Sequence, residues 1–180
     1  MNKAFIEQMA MYSAYHRDPR NKATQFIGVP AIAFSLLVPL GWISVVNVDG
    51  LVVTGAIVFA VVVMSSWILL DRVVGLVTTL AFLPLVLFAD LVSSLDRATG
   101  WTVFGVFFVG GWVFQLVGHY FEGRKPALMD NLLQIFIAPT FLSAEVLFAM
   151  GLCRPLRDAV EARWTAYAKE AKAESAAAAE

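Results

Sequence analysis

The chain has 180 residues, of which 59% are hydrophobic and 15% charged, and its formal net charge is -1. A water-soluble domain of this length could not bury so much apolar surface, and without a basic stripe the charge pattern gives no reason to expect nucleic acid as a partner. The apolar residues form blocks of about 20, the length that an α-helix needs to cross about 30 Å of hydrocarbon, so we expect an integral membrane protein.

The first element in chain order is a short amphipathic helix, predicted over residues 3–17. One face of it carries residues at spacings of four, three and four: Phe5, Met9, Tyr12 and His16. Residues at such spacings share one side of a helix, which is expected to face the bundle or the membrane boundary. The Asp18-Pro19 step ends the helix, because proline disfavours the α conformation in the residue before it. No cleavable signal peptide is expected, because no cleavage site follows a short apolar core.

Five apolar segments follow, and the short connections between them make neighbouring segments antiparallel. The segments cover residues 27–46, 51–70, 73–92, 101–121 and 132–150. Lysines and arginines cluster at both ends of the chain, so the positive-inside tendency favours four full crossings with both termini in the cytoplasm. The fifth segment carries Gln134, Pro139 and Glu145, and an ionised carboxylate at bilayer depth is costly. We therefore expect this segment to be re-entrant, broken at Pro139, or packed at the interface.

The predicted fold is an all-α integral membrane protein. It is a four-span helical bundle with an interfacial amphipathic helix at the N-terminus and a fifth apolar segment that is broken or re-entrant. Residues 1–155 are expected to form a single membrane domain. Residues 156–180 are expected to form an exposed helical tail that frays and carries no chemistry.

Polar residues crowd at the cytoplasmic end of this bundle, around the two histidines of the chain. His16 ends the amphipathic helix just before the first crossing, and His119 ends the fourth crossing, so both lie at one membrane surface. The stretch after His119 adds two carboxylates and two cations: Glu122, Arg124, Lys125 and Asp130. This polar density between two apolar segments marks the candidate site.

A metal site is one interpretation of the two histidines. Two imidazoles and one carboxylate on one face of an iron ion leave positions open for substrate and oxygen. His16, His119 and Asp130 supply such a set, with Glu122 as the next carboxylate. On spacing alone, interfacial histidines hydrogen-bonded to lipid headgroups or to Asp130 are the preferred explanation.

Further polar side chains flank these groups: Tyr12, Tyr15, Gln115, Asn131, Arg124 and Lys125. Tyr12 and Gln115 each lie one helical turn from a histidine and can orient it. The two cations suit a substrate carboxylate. Alternatively, the tyrosines are interfacial anchors, the amides satisfy helix ends, and the cations bind lipid phosphate.

Two blocks of sequence carry a recognisable pattern. The first is Tyr12-x-x-Tyr15-His16-x-x-x-x-Asn21, followed by Gly28-Val29-Pro30. The second is Gly111-Trp112-x-Phe114-Gln115-x-x-Gly118-His119, followed by Phe121-Glu122 and Pro126-Ala127-Leu128-x-Asp130-Asn131-Leu132. Together, over roughly residues 8–155, they resemble the membrane 2-hydroxy fatty acid dioxygenases, a family with a yeast member in phytosphingosine breakdown and many bacterial members.

The resemblance implies an iron(II)-dependent α-oxidation, in which a 2-hydroxy fatty acid and dioxygen give the fatty acid shortened by one carbon. The acyl chain would lie among the helices, while its carboxylate and hydroxyl stay near the metal at the surface. With no sorting signal in the sequence, the resemblance also favours a bacterial inner membrane.

One position departs from the family pattern. Four residues after Asn21, where the family has a histidine, this chain has Gln25, and glutamine is a weak neutral ligand. Either His16, His119 and a carboxylate hold the iron, or the chain is a non-catalytic member that binds lipid or a partner in the membrane. A small transporter or channel is a third hypothesis, which rests only on the helical bundle and on charged residues in or near the apolar segments.

Overall fold

The structure, a computed structural model, describes residues 2–123 and 133–177. The helices are α1 Lys3–Tyr15, α2 Pro19–Gly41, α3 Gly55–Leu70, α4 Arg72–Ser93, α5 Arg97–Glu122, α6 Gln134–Ala149 and α7 Arg154–Ala177. Two short strands, β1 Ser44–Val48 and β2 Leu51–Thr54, pair antiparallel between α2 and α3.

Polar residues in extended conformation begin the first five helices by accepting hydrogen bonds from backbone N–H groups of the first turn. These N-caps are Asn2, Asp18, Thr54, Asp71 and Asp96. The predicted break at Asp18-Pro19 is confirmed, because α1 ends at Tyr15 and Asp18 caps α2. Pro19 occupies the first position of α2, where its fixed φ suits a helix and its missing N–H costs nothing.

The bundle is all-helical, as predicted, except for the hairpin. Residues 44–46 and 51–54 were expected at the ends of apolar helices and instead form strands. Valines favour extended backbone, and the turn between the strands is an Asp-Gly pair, which suits a two-residue hairpin. Asp49 and Gly50 accordingly have φ of 51° and 88°. The hairpin shortens both neighbouring helices, so α2 ends at Gly41.

Three helices, α2, α4 and α5, are long and apolar enough to cross a membrane. α3 is also apolar but has only 16 residues, about 24 Å at about 1.5 Å per residue. α6 and the described part of α7 form a pair bent by 116°, which would add a fourth span if the pair is one crossing. The structure thus provides three to four candidate crossings, but not the predicted set, because α3 is too short to count as a span and the possible fourth is the α6–α7 pair.

The fifth apolar segment forms α6, which passes through Pro139 as a continuous helix. Of the arrangements expected for this segment, the break at Pro139 is therefore wrong, whereas a broken or re-entrant segment is compatible with the 116° bend between α6 and α7. The bend comes after α6 instead, where Gly151 and Cys153 have φ of 74° and 51°. A left-handed residue at this position ends a helix and turns the chain.

Both halves of α6 are tied to the same end of the bundle. Trp67 Nε1 donates to the carbonyl oxygen of Phe136 at 2.9 Å, and Lys22 Nζ pairs with Glu145 at 2.6 Å. Lys22 lies at the start of α2 and Trp67 near the end of the antiparallel α3. α6 therefore lies across this end of the bundle, and the carboxylate that made this segment a poor span is neutralised by a lysine.

α7 packs against α1 over the part whose side chains the structure describes. Leu156 and Val160 are buried in the same apolar cluster as α1, so residues expected in an exposed tail contribute to the core. Glu7 of α1 accepts from Arg163 Nε at 2.8 Å and from Tyr167 Oη at 2.9 Å. The first and last helices consequently lie at one end of the bundle.

Glycines allow α2 and α5 to pack closely along their lengths. A Cβ on Gly28 would lie 2.9 Å from the carbonyl oxygen of Gly111, and a Cβ on Gly118 would overlap the side chain of Asn21. Only glycine fits at such backbone separations. This packing brings His119, next in the chain after Gly118, alongside the first turns of α2.

Candidate active site

A cavity of about 250 Å³ lies inside the bundle, bounded at one end by α6. Its polar end is formed by Tyr12, His16, Gln115, His119 and Gln134. Its body is apolar and includes Val29, Ile32, Leu37, Ala60, Trp67, Phe82 and Val86. A cavity with one polar end and a long apolar body suits an amphipathic ligand whose head group lies at the histidines.

The two histidines, predicted to share one surface, lie next to each other. Their ring centroids are 5.1 Å apart, and the side chains of His16 and His119 are 1% and 6% exposed. Among the described residues, His16 Nε2 and His119 Nδ1 belong to the few buried side-chain atoms without a hydrogen-bond partner. Such atoms are rare in folded proteins, and here two of them lie at the end of a cavity. The pair is therefore a candidate binding site for a metal or a polar ligand.

Tyr12 sets the orientation of His16. The carbonyl oxygen of Tyr12 accepts a hydrogen bond from His16 Nδ1 at 2.8 Å, and its ring stacks on the imidazole at 4.0 Å between centroids. Because a carbonyl only accepts, Nδ1 carries the proton and Nε2 is left with its lone pair. Burial lowers the pKa of His16 from 6.5 to about 3, so the imidazole is neutral at physiological pH. A neutral imidazole is the form that binds a metal ion.

A buried chain of hydrogen bonds supports Tyr12. Its phenol donates to Gln25 Oε1 at 3.1 Å, Gln25 Nε2 donates to Asn21 Oδ1 at 3.2 Å, and Asn21 Nδ2 donates to Glu122 Oε2 at 3.1 Å. Burial raises the pKa of Tyr12 above its usual range, so the phenol remains a donor. Gln25, at the position where the resemblance implies a histidine, is fully buried and connects Tyr12 to Asn21. It serves here as a hydrogen-bond bridge and does not line the cavity.

Glu122 joins the end of α5 to the start of α2. Its carboxylate oxygens accept from the backbone N–H of Arg17 at 3.1 Å and of Asp18 at 2.8 Å. Within residues 2–123 and 133–177, no group of three or more His, Cys, Asp or Glu side chains is placed to hold a metal ion. The alternative set, with Glu122 as the carboxylate, is therefore not assembled among the described residues, where Glu122 instead accepts from backbone amides. The set with Asp130 includes a residue outside the described ranges.

The remaining predicted site residues fall into two groups. Arg124, Lys125, Asp130 and Asn131 lie outside the described residues. Of the others, Gln115 lines the cavity one turn from His119. Tyr15 is buried away from the cavity, where it packs towards α7, and its carbonyl oxygen accepts from Asn21 Nδ2 at 3.2 Å.

Two residues of α6 that were not predicted belong to the site. Phe141 is 1% exposed, and its ring centroid lies 4.7 Å from that of Tyr12 and 5.9 Å from that of His16. Gln134 lines the cavity, and its Oε1 atom is buried with no partner in the part of the chain that the structure describes. Gln134 could have been found from the sequence, because it is a polar residue at the start of an apolar segment. Phe141 is one of 14 phenylalanines, and no spacing singles it out.

Comparison with known proteins agrees with the sequence motifs. The family model described as 2-hydroxy-palmitic acid dioxygenase Mpo1-like matches residues 2–150. A stretch of 56 residues is 48% identical to the 2-hydroxy-palmitic acid dioxygenase MPO1 of Saccharomyces cerevisiae, over 30% of this chain and 32% of that protein. The chain thus aligns with about a third of the length of this relative. No solved structure matches the chain. The resemblance predicted from the two sequence blocks is confirmed.

Proposed function

Because the chain belongs to the Mpo1-like family, we propose that it is a dioxygenase that converts 2-hydroxy fatty acids to fatty acids shortened by one carbon. The reaction balances when a 2-hydroxy acid and dioxygen give the shortened acid, carbon dioxide and water. The observation that carries the proposal is a pair of buried nitrogens at the polar end of an apolar cavity, His16 Nε2 and His119 Nδ1, to which no described residue is hydrogen-bonded.

Both histidines are proposed as ligands of an iron(II) ion. Two neighbouring imidazole nitrogens without hydrogen-bond partners fit this ion, because imidazole is among its common protein ligands. Asp130, outside the described residues, is the candidate third ligand. When bound, iron would supply the activation of dioxygen, which side chains alone do not provide. The contribution of Tyr12 is to hold His16 in the tautomer that leaves Nε2 for the metal.

The cavity supports a fatty acid as the substrate. Its apolar body provides the surface that an acyl chain would contact, and its polar end provides the groups that a head group would contact. Gln115 and Gln134 carry amide groups there, which suit hydrogen bonds to the carboxylate and hydroxyl of a 2-hydroxy acid. Arg124 and Lys125 remain the proposed cations for the carboxylate.

The protein is proposed to be integral to a membrane, a bacterial inner membrane, with both termini in the cytoplasm. The three long apolar helices support insertion, and the packing of α7 on α1 supports a common side for the termini. Cys153, the only cysteine in the sequence, lies at the bend that precedes α7. An impermeant maleimide should label it in inside-out vesicles and not in right-side-out vesicles. The reverse result would contradict the orientation.

The dioxygenase proposal is tested on protein purified in detergent. We expect iron to copurify with the chain, and carbon dioxide labelled with carbon-13 to be released from 2-hydroxypalmitic acid labelled at carbon 1. A Tyr120→Phe variant, changed at an exposed side chain next to His119, is the matched control. Absence of both bound iron and labelled product would overturn the proposal.

A non-catalytic family member is the second candidate function. It is favoured by Gln25 and by the lack of a third acidic or histidine ligand among the described residues. The discriminating variant is Gln25→His, compared with the unchanged protein in the same assay. Activity that appears only in the variant would favour a protein that binds lipid or a partner without turnover. Equal activity in both would eliminate this candidate.

A further inference from the structure

The cavity that ends at the two histidines is open on one side. Four of its lining side chains are also exposed at the outer surface: Leu36, Phe59, Ile135 and Phe136 are 36%, 40%, 40% and 41% exposed. They come from α2, α3 and α6, and the half-buried Trp112 of α5 lines the cavity as well. These side chains mark the rim of an opening between the cavity and the surroundings of the bundle.

The opening lies between α3 and α5, beside α6. α5 packs along α2 and makes few or no contacts with α3 and α6, so none of the helices that the structure describes closes this side. The rings of Phe59 and Phe136 approach to 6.5 Å between centroids and form the border between α3 and α6. Trp112 precedes His119 by two turns of α5, about 10 Å along the helix. If α5 crosses the bilayer, the opening is at the depth of the hydrocarbon and below the head-group layer.

The chemistry of the rim matches lipid tails. Its exposed residues are all apolar, and a contiguous apolar patch of this kind is unfavourable in water but neutral against acyl chains. A path for a water-soluble ligand would need polar groups along the rim. None of the exposed rim residues is polar, and the polar side chains of the lining are those of the polar end: Tyr12, His16, Gln115, His119 and Gln134.

We propose that this opening is a lateral portal, through which the acyl chain of the ligand enters from the bilayer. The head group then lies at the two histidines, and the far end of the chain passes out between α3 and α5 into the surrounding lipid. The identity of the ligand as a fatty acid rests on the proposed function, but the portal does not depend on turnover. A site with such an exit sets no upper limit on acyl-chain length, because extra carbons extend into the membrane.

Photocrosslinking in phosphatidylcholine nanodiscs tests the portal without an activity assay. The probes are palmitic acid with a diazirine at the terminal carbon and palmitic acid with a diazirine close to the carboxyl group. We expect the terminal probe to label the rim at Leu36, Phe59 and Phe136, and the carboxyl-proximal probe to label residues near the histidines. Terminal-probe labelling confined to the closed part of the cavity, at Phe82 and Val86, would overturn the portal.

A portal-filling variant provides the second measurement. Leu36→Trp places a larger side chain in the opening, at a position that is 36% exposed. Val113→Trp is the matched control, because Val113 is 53% exposed on α5 and does not line the cavity. We expect at least a tenfold loss of crosslinking by the terminal probe in Leu36→Trp and no change in Val113→Trp. Equal crosslinking in the two variants would overturn the portal, whether or not the protein proves to be a dioxygenase.

Discussion

The imidazoles of His16 and His119 lie ring to ring, 5.1 Å between centroids, although one follows α1 and the other ends α5. Each presents a buried nitrogen that has no hydrogen-bond partner within residues 2–123 and 133–177. Since the two nitrogens come from separate helices, a shared ligand would join the N-terminal helix to the bundle. Loss of either histidine is therefore expected to remove the shared ligand.

Replacing either histidine should remove the bound metal. In His16→Gln and in His119→Gln we expect the iron content to fall to background and turnover of 2-hydroxypalmitic acid to fall by more than about 100-fold, since even outer partners of a metal site are worth roughly 10- to 100-fold. Iron content measured by mass spectrometry is the primary readout. Tyr120→Phe should retain iron, and retention of full iron content by either histidine variant would show that the pair is not the metal site.

The hydrogen bond from Tyr12 to Gln25 should contribute to stability. Tyr12→Phe removes the donor and leaves Gln25 Oε1 buried without its partner, which costs about 1–3 kcal/mol. The carbonyl oxygen of Tyr12 remains, so His16 should keep its orientation and the protein its iron. Thermal unfolding in detergent measures the change, with Tyr120→Phe as the exposed control. Equal melting temperatures for the two variants would contradict the role of the buried chain.

The close packing of α2 on α5 should be sensitive to a single methyl group. Gly118→Ala would push a Cβ into Asn21 and Thr24, so we expect a loss of at least about 2 kcal/mol of stability from overpacking. Gly110→Ala, on the same helix, meets nothing within 4 Å and should be neutral or stabilising by about 0.5–1 kcal/mol. Chemical denaturation in detergent compares the two. Equal changes in stability for the two variants would contradict the role of close packing at Gly118.

Stability of the metal-free protein should decrease as the pH falls below neutral. Burial holds the pKa of His16 at about 3, against 6.5 for an exposed histidine, so the unfolded chain binds a proton that the folded chain excludes. The stabilisation is complete above pH 6.5 and is lost as the pH falls towards 3, by about 2 kcal/mol between pH 6.5 and 5. Unfolding with a chelator present, at several pH values, measures this slope.

His16→Gln should reduce the slope in this pH range, because glutamine does not titrate. The pKa of Asp18 is also lowered, to about 2, by its hydrogen bonds with Arg20, but this carboxylate begins to titrate only near pH 3.8. It therefore contributes little between pH 6.5 and 5. An unchanged slope in the variant would show that another group is responsible.

The part of the site formed by α1 and the turn after it was predictable, because its residues are close in sequence. Tyr12 and His16 are one helical turn apart, and the Asp18-Pro19 step predicts the turn that follows them. The hairpin was also signalled by Asp49-Gly50 between valine-rich stretches, but the apolar pattern of the flanking segments outweighed it. Such local patterns predict contacts within one helical turn or one helix cap, and not contacts between separate helices.

The sequence by itself determined the apolar helices, the two-histidine composition of the site and the family motifs, because helix periodicity, hydropathy and motif spacing are local properties of the chain. The tertiary structure decided what each polar group contacts. Glu122 was a candidate ligand until packing placed the backbone amides of Arg17 and Asp18 against it, and Gln25 became a bridge because Tyr12 and Asn21 lie on either side. A carboxylate or amide can accept from many donors, and only the close approach of α2 and α5 selects among them.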